Sequence, residues 1–372
     1  MASWVAVSFG ALDVKDASSD WANAELLVLS TLPADPIGLA GGPAQLWRQL
    51  VSGPIPEEDL TPEELALVSE FSDFGIASRN SDHPARTHEL APAWLESPMH
   101  ELVYALVARV AEQESIDTVF IKGPAMHRQG LRTRQHSGDV DVWVGARQIQ
   151  RLADALDPWG WSAAPEPWSP GLINHSVTLR PDVWGCEIDL HRQFPGVGVD
   201  DDLAFTVLLD YCSQLDFAGV SVPIPNIAAQ AGIAALHFCR PEIGHPLSVS
   251  KGTEAKAVLQ TAGIASVAFL EKIDGTTVLA SVIQSTFPGV EFKVADRIPL
   301  NWLWRQQPDA MRAYFVALRS VPLNRRAGAL WRLVWPQPDA ALDSDHRAGG
   351  TTQNAVVARM RRLSRGFPAW RE

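Results

Sequence analysis

Residues 138–144, "GDVDVWV", constrain this chain more than any other stretch. Side chains alternate along a strand, so Asp139 and Asp141 share one face and Val140, Val142 and Val144 the other. An apolar row commits the strand to a core. Two carboxylates held that close repel each other unless a cation lies between them. A hard divalent ion such as Mg²⁺ satisfies them, commonly with phosphate oxygens completing its shell. A third carboxylate should then come from a neighbouring strand. "CEIDLH" (186–191) offers one: Glu187, Asp189 and His191 fall on one face, Ile188 and Leu190 on the other. A strand "TVFIKG" (118–123) ends in Lys122 and Gly123, where glycine permits close backbone approach to a phosphate and lysine adds a point charge.

Composition narrows the rest. At 372 residues the chain is long enough for two or three domains. Its net charge of −12 gives no general attraction to nucleic acid, which is disfavoured as a partner, although a local basic groove is compatible with it. Cys186, Cys212 and Cys239 are scattered, with neither a disulfide framework nor zinc spacing, which fits a reducing cytoplasm. No apolar run has membrane-spanning length, and the first residues lack a signal-peptide pattern.

Periodicity divides the chain into 1–80, a polar, Pro-rich linker 81–97, a core 98–199 and a mostly helical region 200–372. In the first segment, 25–32 and 36–41 read as short strands, and 42–53 and 61–78 as helices. The second helix opens on Thr61, Pro62 and Glu64, a capping-box start. Further helices are expected at 98–114, 146–161, 226–239, 253–273 and 354–367, and a hairpin joins 175–180 to 186–194. His127, His136 and His175 read as loop histidines and His237 as a satisfied helix histidine. The arginines of 354–367 read as a solvated face.

Two resemblances follow. "FIKG" (120–123), "RTRQHSGDVDVWV" (132–144) and "IDLHRQF" (188–194) together resemble the nucleotidyltransferase superfamily, the polymerase β-like fold, and within it a subgroup of uncharacterised bacterial nucleotidyltransferases. The Lys-Gly turn lies about 16 residues before Asp139, and Asp189 about 48 after Asp141. The likeness spans roughly 98–270. It departs from most of the superfamily in lacking a serine at the phosphate turn. The resemblance implies catalytic, metal-binding Asp139, Asp141 and Asp189, with Lys122, Gly123, Arg134, Gly138 and His191 toward the nucleotide. It also implies two Mg²⁺ ions and ATP or another NTP as substrate. The order of strands and helices in 1–80 is similar to the winged-helix RiPP recognition element of the PQQ-chaperone type, which binds the leader of a precursor peptide by adding a strand to its sheet.

The expected fold is therefore α+β: a small winged-helix-like N-terminal domain, a polymerase β-like core with a mixed sheet, and a helical C-terminal region. The expected function is transfer of a nucleoside monophosphate to a hydroxyl, first of all on a precursor peptide tethered by residues 1–80. Transfer to an antibiotic-type small molecule or a tRNA end, and a binding protein without turnover, are the alternatives. Removal of 1–80 is expected to weaken peptide binding and spare the metal site.

Overall fold

The computed structural model describes residues 3–15, 23–135, 137–165 and 175–366, a mixed α and β protein with several sheets. His136 and Phe367, both within stretches singled out above, lie outside the described residues.

The N-terminal part contains β1 (Ser3–Ala6), β2 (Gly10–Asp13), β3 (Leu26–Leu29), β4 (Ile37–Leu39), α1 (Gly41–Ser52), β5 (Ile55–Pro56), α2 (Pro62–Asp73), β6 (Ala77–Ser78) and β7 (Ala91–Pro92). One sheet has the order β4-β3-β2-β7, and β1 lies between β5 and β6. Strands β3 and β4 and α1 stand where the sequence puts them, whereas the helix expected over 61–78 ends at Asp73 and Ala77–Ser78 become strand β6. The Thr61–Glu64 capping box forms in both directions. Strands β1, β2, β5, β6 and β7 are additions to the expected order, and they make a unit for which a winged helix is not established.

Strand β3, "LLVL", is apolar throughout because both its faces are covered. Leu26 and Val28 pack with Trp47, Leu50 and Phe71 of α1 and α2. Leu27 and Leu29 pack with Leu102, Val103 and Leu106 of α3 (Pro98–Gln113). Here the structure differs from the sequence reading. The stretch expected as a linker is docked rather than loose: β7 pairs in parallel with β2, and Leu95 is buried. The anchor is Glu101 of α3, fully buried. Its carboxylate accepts from the backbone N–H groups of Trp94 (3.1 Å), Leu95 (3.2 Å) and Ala218 (3.0 Å).

The central sheet follows. It is built from β8 (Thr118–Ile121), β9 (Asp139–Val144), β10 (Trp161–Ala163), β11 (Ser176–Pro181) and β12 (Glu187–His191), in the order β10-β11-β12-β9-β8. Only β12 and β9 are parallel; β8, β11 and β10 pair antiparallel. The short α4 (Gly123–Arg128) follows β8, and the face carrying Val140, Val142, Ile188 and Leu190 packs on α3 and on α5 (Ile149–Leu156). The opposite face is covered by helices beyond residue 200, among them α6 (Asp201–Leu209) and α7 (Ile227–Cys239), and Trp143 and Phe194 are buried there. That face therefore changes from acidic at one end of β9 to apolar at the other.

Beyond residue 200 the described chain is mostly helical, with two departures. Strands β13 (Cys212–Phe217) and β14 (Val220–Pro225) form a hairpin inside the expected helical region. Its turn residue Ala218 accepts from Ala11 N–H (3.0 Å), joining the hairpin to the N-terminal sheet. The helix expected over 253–273 is two helices, Val249–Ala262 and Ala265–Lys272, broken at Gly263, whose φ of +73° ends the first. No helix among the described residues is long and apolar enough to cross a membrane.

Candidate active site

Register explains how residues far apart in sequence meet. In the parallel pair, Asp139 lies opposite Glu187, Asp141 opposite Asp189 and Trp143 opposite His191. Strand β8 runs antiparallel and ends with Ile121 opposite Asp141, so the next residue, Lys122, is delivered to the carboxylates. Lys122 Nζ donates to Asp141 Oδ1 at 2.6 Å, and His191 Nε2 lies 2.8 Å from the same oxygen. Asp189 Oδ1 accepts from Thr178 Oγ1 at 2.5 Å across the β11–β12 hairpin.

The two aspartates of the motif have opposite electrostatics. Burial alone would raise Asp141, but the Lys122 ammonium and the His191 imidazole outweigh it and hold the carboxyl below the ordinary range. Asp139 is half-buried and has no such partner among the described residues. Burial and the neighbouring Asp141 charge push it up to about 6, with Lys122 offsetting only part of the rise.

The turn after β8 is backbone-strained and locked. Lys122 has φ 59° and Gly123 φ 51°. A Cβ on Gly123 would lie 2.5 Å from the Tyr104 hydroxyl, so glycine is required by both conformation and space. The Lys122 peptide is clamped by Gln230 of α7, fully buried: Lys122 N–H donates to Gln230 Oε1 (3.2 Å) and Gln230 Nε2 donates to Lys122 O (3.1 Å). A cavity of about 200 Å³ opens beside this turn, lined by Lys122, Gly123, Arg132, Ser137, Asp139 and Asp141, with His237 of α7 on its far wall. Burial pushes His237 down to about 3, so its imidazole is neutral.

Of the residues expected from sequence, Lys122, Gly123, Asp139, Asp141, Asp189 and His191 come together around one face of the central sheet, beside the end of β8. Arg134 is exposed and does not line the cavity. Arg132 does, its guanidinium held by the carbonyls of Arg134 (2.7 Å) and Gln135 (3.1 Å). Gly138 is exposed, and a Cβ there would meet nothing within 4 Å. Gln230, Thr178, Arg132 and Ser137 are additions from the structure. Gln230 alone had a visible signal, a lone amide in the otherwise apolar run "IAAQAGIAAL".

The donor set suits a divalent cation. Ligand atoms of Asp141, Asp189 and His191 all lie within 4.8 Å of one another, and Asp139 adds a fourth group two residues before Asp141 on the same strand. Three carboxylates share this face, and of the nearby cations Lys122 alone is seen in ion-pair contact with one of them among the described residues, while Arg132 lines the same cavity. Asp139 belongs to the expected metal set but falls outside the close group, and His191 takes its place. A set of two carboxylates and an imidazole is open to transition ions as well as to Mg²⁺.

No family model matches the chain, and no curated protein matches its sequence. Solved structures show loose likenesses. The lincosamide antibiotic adenylyltransferase LnuA, solved with lincomycin bound, is 17% identical over 42% of this chain and 94% of its own (TM-score 0.27). The antibiotic-resistance factor ANT(2'')-Ia is 11% identical over 46% and 90% (TM-score 0.31). MenT4, a nucleotidyltransferase toxin of Mycobacterium tuberculosis H37Rv, is 12% identical over 64% and 97% (TM-score 0.29). Overlaps this low carry no argument about substrate or reaction, and the case for function rests on the site itself.

Proposed function

We propose that this protein is a metal-dependent nucleotidyltransferase that moves a nucleoside monophosphate from an NTP to an acceptor hydroxyl. One observation carries the reading: two adjacent parallel strands place Asp139, Asp141 and Asp189 beside a strained, locked Lys122-Gly123 turn that opens onto a cavity. Asp141, Asp189 and His191, with Asp139 beside them, would hold the divalent metal, Mg²⁺ being the first candidate. The ion would supply charge neutralisation at the triphosphate. Lys122 and Arg132 supply further positive charge at the cavity, and Gln230 keeps the Lys122 peptide in place. Thr178 orients Asp189, which is positioned to accept or steer the proton of an incoming hydroxyl.

For the acceptor we propose a ribosomally made precursor peptide. Strand β4 is an edge of its sheet among the described residues, which leaves one side open for an added strand. A cavity of about 260 Å³ between α1, the helix that follows β4 in the chain, and α2 is lined by Leu46, Leu67, Glu63 and Glu64. This combination of free backbone and part-apolar, acidic groove suits an extended segment with apolar and basic side chains. Hydrogen exchange tests the docking: amides of Ile37–Leu39 should slow when the leader is added, and unchanged exchange would sink the peptide reading.

Mass spectrometry tests the reaction. Candidate acceptors incubated with each NTP and Mg²⁺ should gain the mass of one nucleoside monophosphate, and Asp139→Ala with Asp141→Ala should abolish the gain. Absence of any metal-dependent NTP binding in the wild-type protein would instead favour a fold kept without turnover.

A further inference from the structure

His237 reads in sequence as a helix histidine satisfied within the protein. In the structure it is not: its Nδ1 is buried and has no hydrogen-bond partner among the described residues. The ring makes an edge contact with Phe238, centroids 5.9 Å apart, and lines the Lys122 cavity. Burial keeps the imidazole neutral, so one ring nitrogen carries a proton and the other does not. A buried N–H without a partner is rarer than a buried acceptor without one. The proton therefore belongs on Nε2. With Nδ1 shut in, Nε2 is also the nitrogen left for a ligand, and His237 offers the cavity an uncharged N–H donor.

Helix α7 sets where that donor stands. Gln230, Ala234 and His237 fall at i, i+4 and i+7, so they share one face of the helix. Gln230 fixes the near end of this face on the Lys122 peptide, with hydrogen bonds of 3.2 and 3.1 Å. His237 is two turns farther on, about 10 Å along the helix axis. Ala234 lies between them and lines the cavity, as do Phe238 and, from α4, Met126. The cavity thus has two kinds of wall. Lys122, Arg132, Asp139 and Asp141 bring ionisable groups, whereas Met126, Ala234, His237 and Phe238 bring no charge. The first kind suits a metal ion and a triphosphate. An apolar wall with an aromatic ring and one neutral donor suits a flat, uncharged group that carries an acceptor.

We propose that His237 binds the nucleobase of the NTP, donating from Nε2 to an acceptor on the base edge, while Met126, Ala234 and Phe238 pack against the base. This assignment rests on the nucleotidyl-transfer reading and divides the cavity: triphosphate toward the Lys122 turn, nucleoside along α7. His237 is then a specificity residue, because bases differ in where they carry acceptors.

The test is calorimetric titration of the full-length protein with Mn²⁺ and two kinds of probe. One is the set of non-hydrolysable analogues of ATP, GTP, CTP and UTP; the other is inorganic tripolyphosphate, which has no nucleoside. Wild type should prefer one analogue and bind it more tightly than tripolyphosphate. His237→Phe keeps a neutral ring and loses the donor. It should weaken the preferred analogue by about five- to tenfold, the loss of one hydrogen bond, and change tripolyphosphate by less than about twofold. His237→Gln, which restores an N–H donor, should recover part of the loss, and thermal melts of both variants verify folding. Equal losses for the analogue and tripolyphosphate would overturn the assignment and place His237 on the phosphates. Wild-type analogue affinity in folded His237→Phe would overturn the assignment and leave the nucleotidyl-transfer reading standing. A wild-type protein that binds none of the analogues would overturn that reading, and the His237 assignment with it.

Discussion

Lys122 Nζ and Asp141 Oδ1 lie 2.6 Å apart, joining the last residue of one strand's turn to the middle of its antiparallel neighbour. Both are largely buried, and His191 occupies the same oxygen at 2.8 Å. The ammonium thus stabilises the carboxylate cluster when no divalent ion does. Breaking a buried pair leaves one charge uncompensated and costs about 3 kcal/mol or more. Lys122→Met should lower the melting temperature of metal-free protein markedly. Mn²⁺ or Mg²⁺ should restore much of that loss, because the ion replaces the missing charge. Equal destabilisation with and without metal would disprove this role for Lys122.

Asp139 gives a pH prediction. Its folded pKa of about 6 stands above the unfolded value of about 3.9. Between these values the folded state holds more protons than the unfolded one, so metal-free stability falls as pH rises through that window and stays lower above it. Asp139→Asn removes the penalty. Without metal it should stabilise the protein at pH 7.5 by about 1–2 kcal/mol, a figure discounted for partial exposure, and do almost nothing at pH 4. The same substitution should abolish metal-dependent nucleotide binding. Denaturant melts at the two pH values and a nucleotide titration check both halves.

Gln230 acts through the Lys122 peptide and not by touching the carboxylates. Gln230→Ala should cost about 1–3 kcal/mol, the penalty of leaving a buried donor and acceptor unsatisfied. It should weaken nucleotide binding more than it weakens Mn²⁺ binding. If both fall equally, or neither falls, the clamp is not what holds the turn.

At Gly123, φ and a steric contact act together, and a double-mutant cycle separates them. Gly123→Ala should destabilise through the left-handed backbone, about 1–2 kcal/mol, and through the approach to the Tyr104 hydroxyl. Tyr104→Phe in the same chain should recover the steric part only. Full recovery would show that the backbone carries no strain.

Truncation should behave differently from what two separable domains would give. Phe9, Leu12, Leu27 and Leu29 belong to the same core as Leu102, Val103 and Leu106, so deleting residues 1–80 uncovers α3. The truncated chain should be aggregation-prone or melt far below the full chain, and the N-terminal part is better probed by point changes on β4. A truncated protein with the full-length melting temperature would refute the shared core.

The site was legible in sequence to the extent that it is written in local alternation. Two stretches with polar residues on one face and valine, isoleucine or leucine on the other determined that Asp139, Asp141, Asp189 and His191 would lie on strand faces, and a Lys-Gly pair at a strand end marked the turn. Alternation has a period of two and says nothing about which strand lies beside which. Only the tertiary structure decided that β12 sits parallel to β9 in a register matching Asp189 to Asp141, and that β8 stops level with them. The same limit hid Gln230, which reaches the Lys122 peptide from a helix far along the chain, and Thr178, which meets Asp189 across a hairpin. It also hid the docking of residues 81–97. Their polar, Pro-rich composition reads as a connector, whereas three backbone N–H groups converging on one buried carboxylate, Glu101, are a property of the folded chain alone.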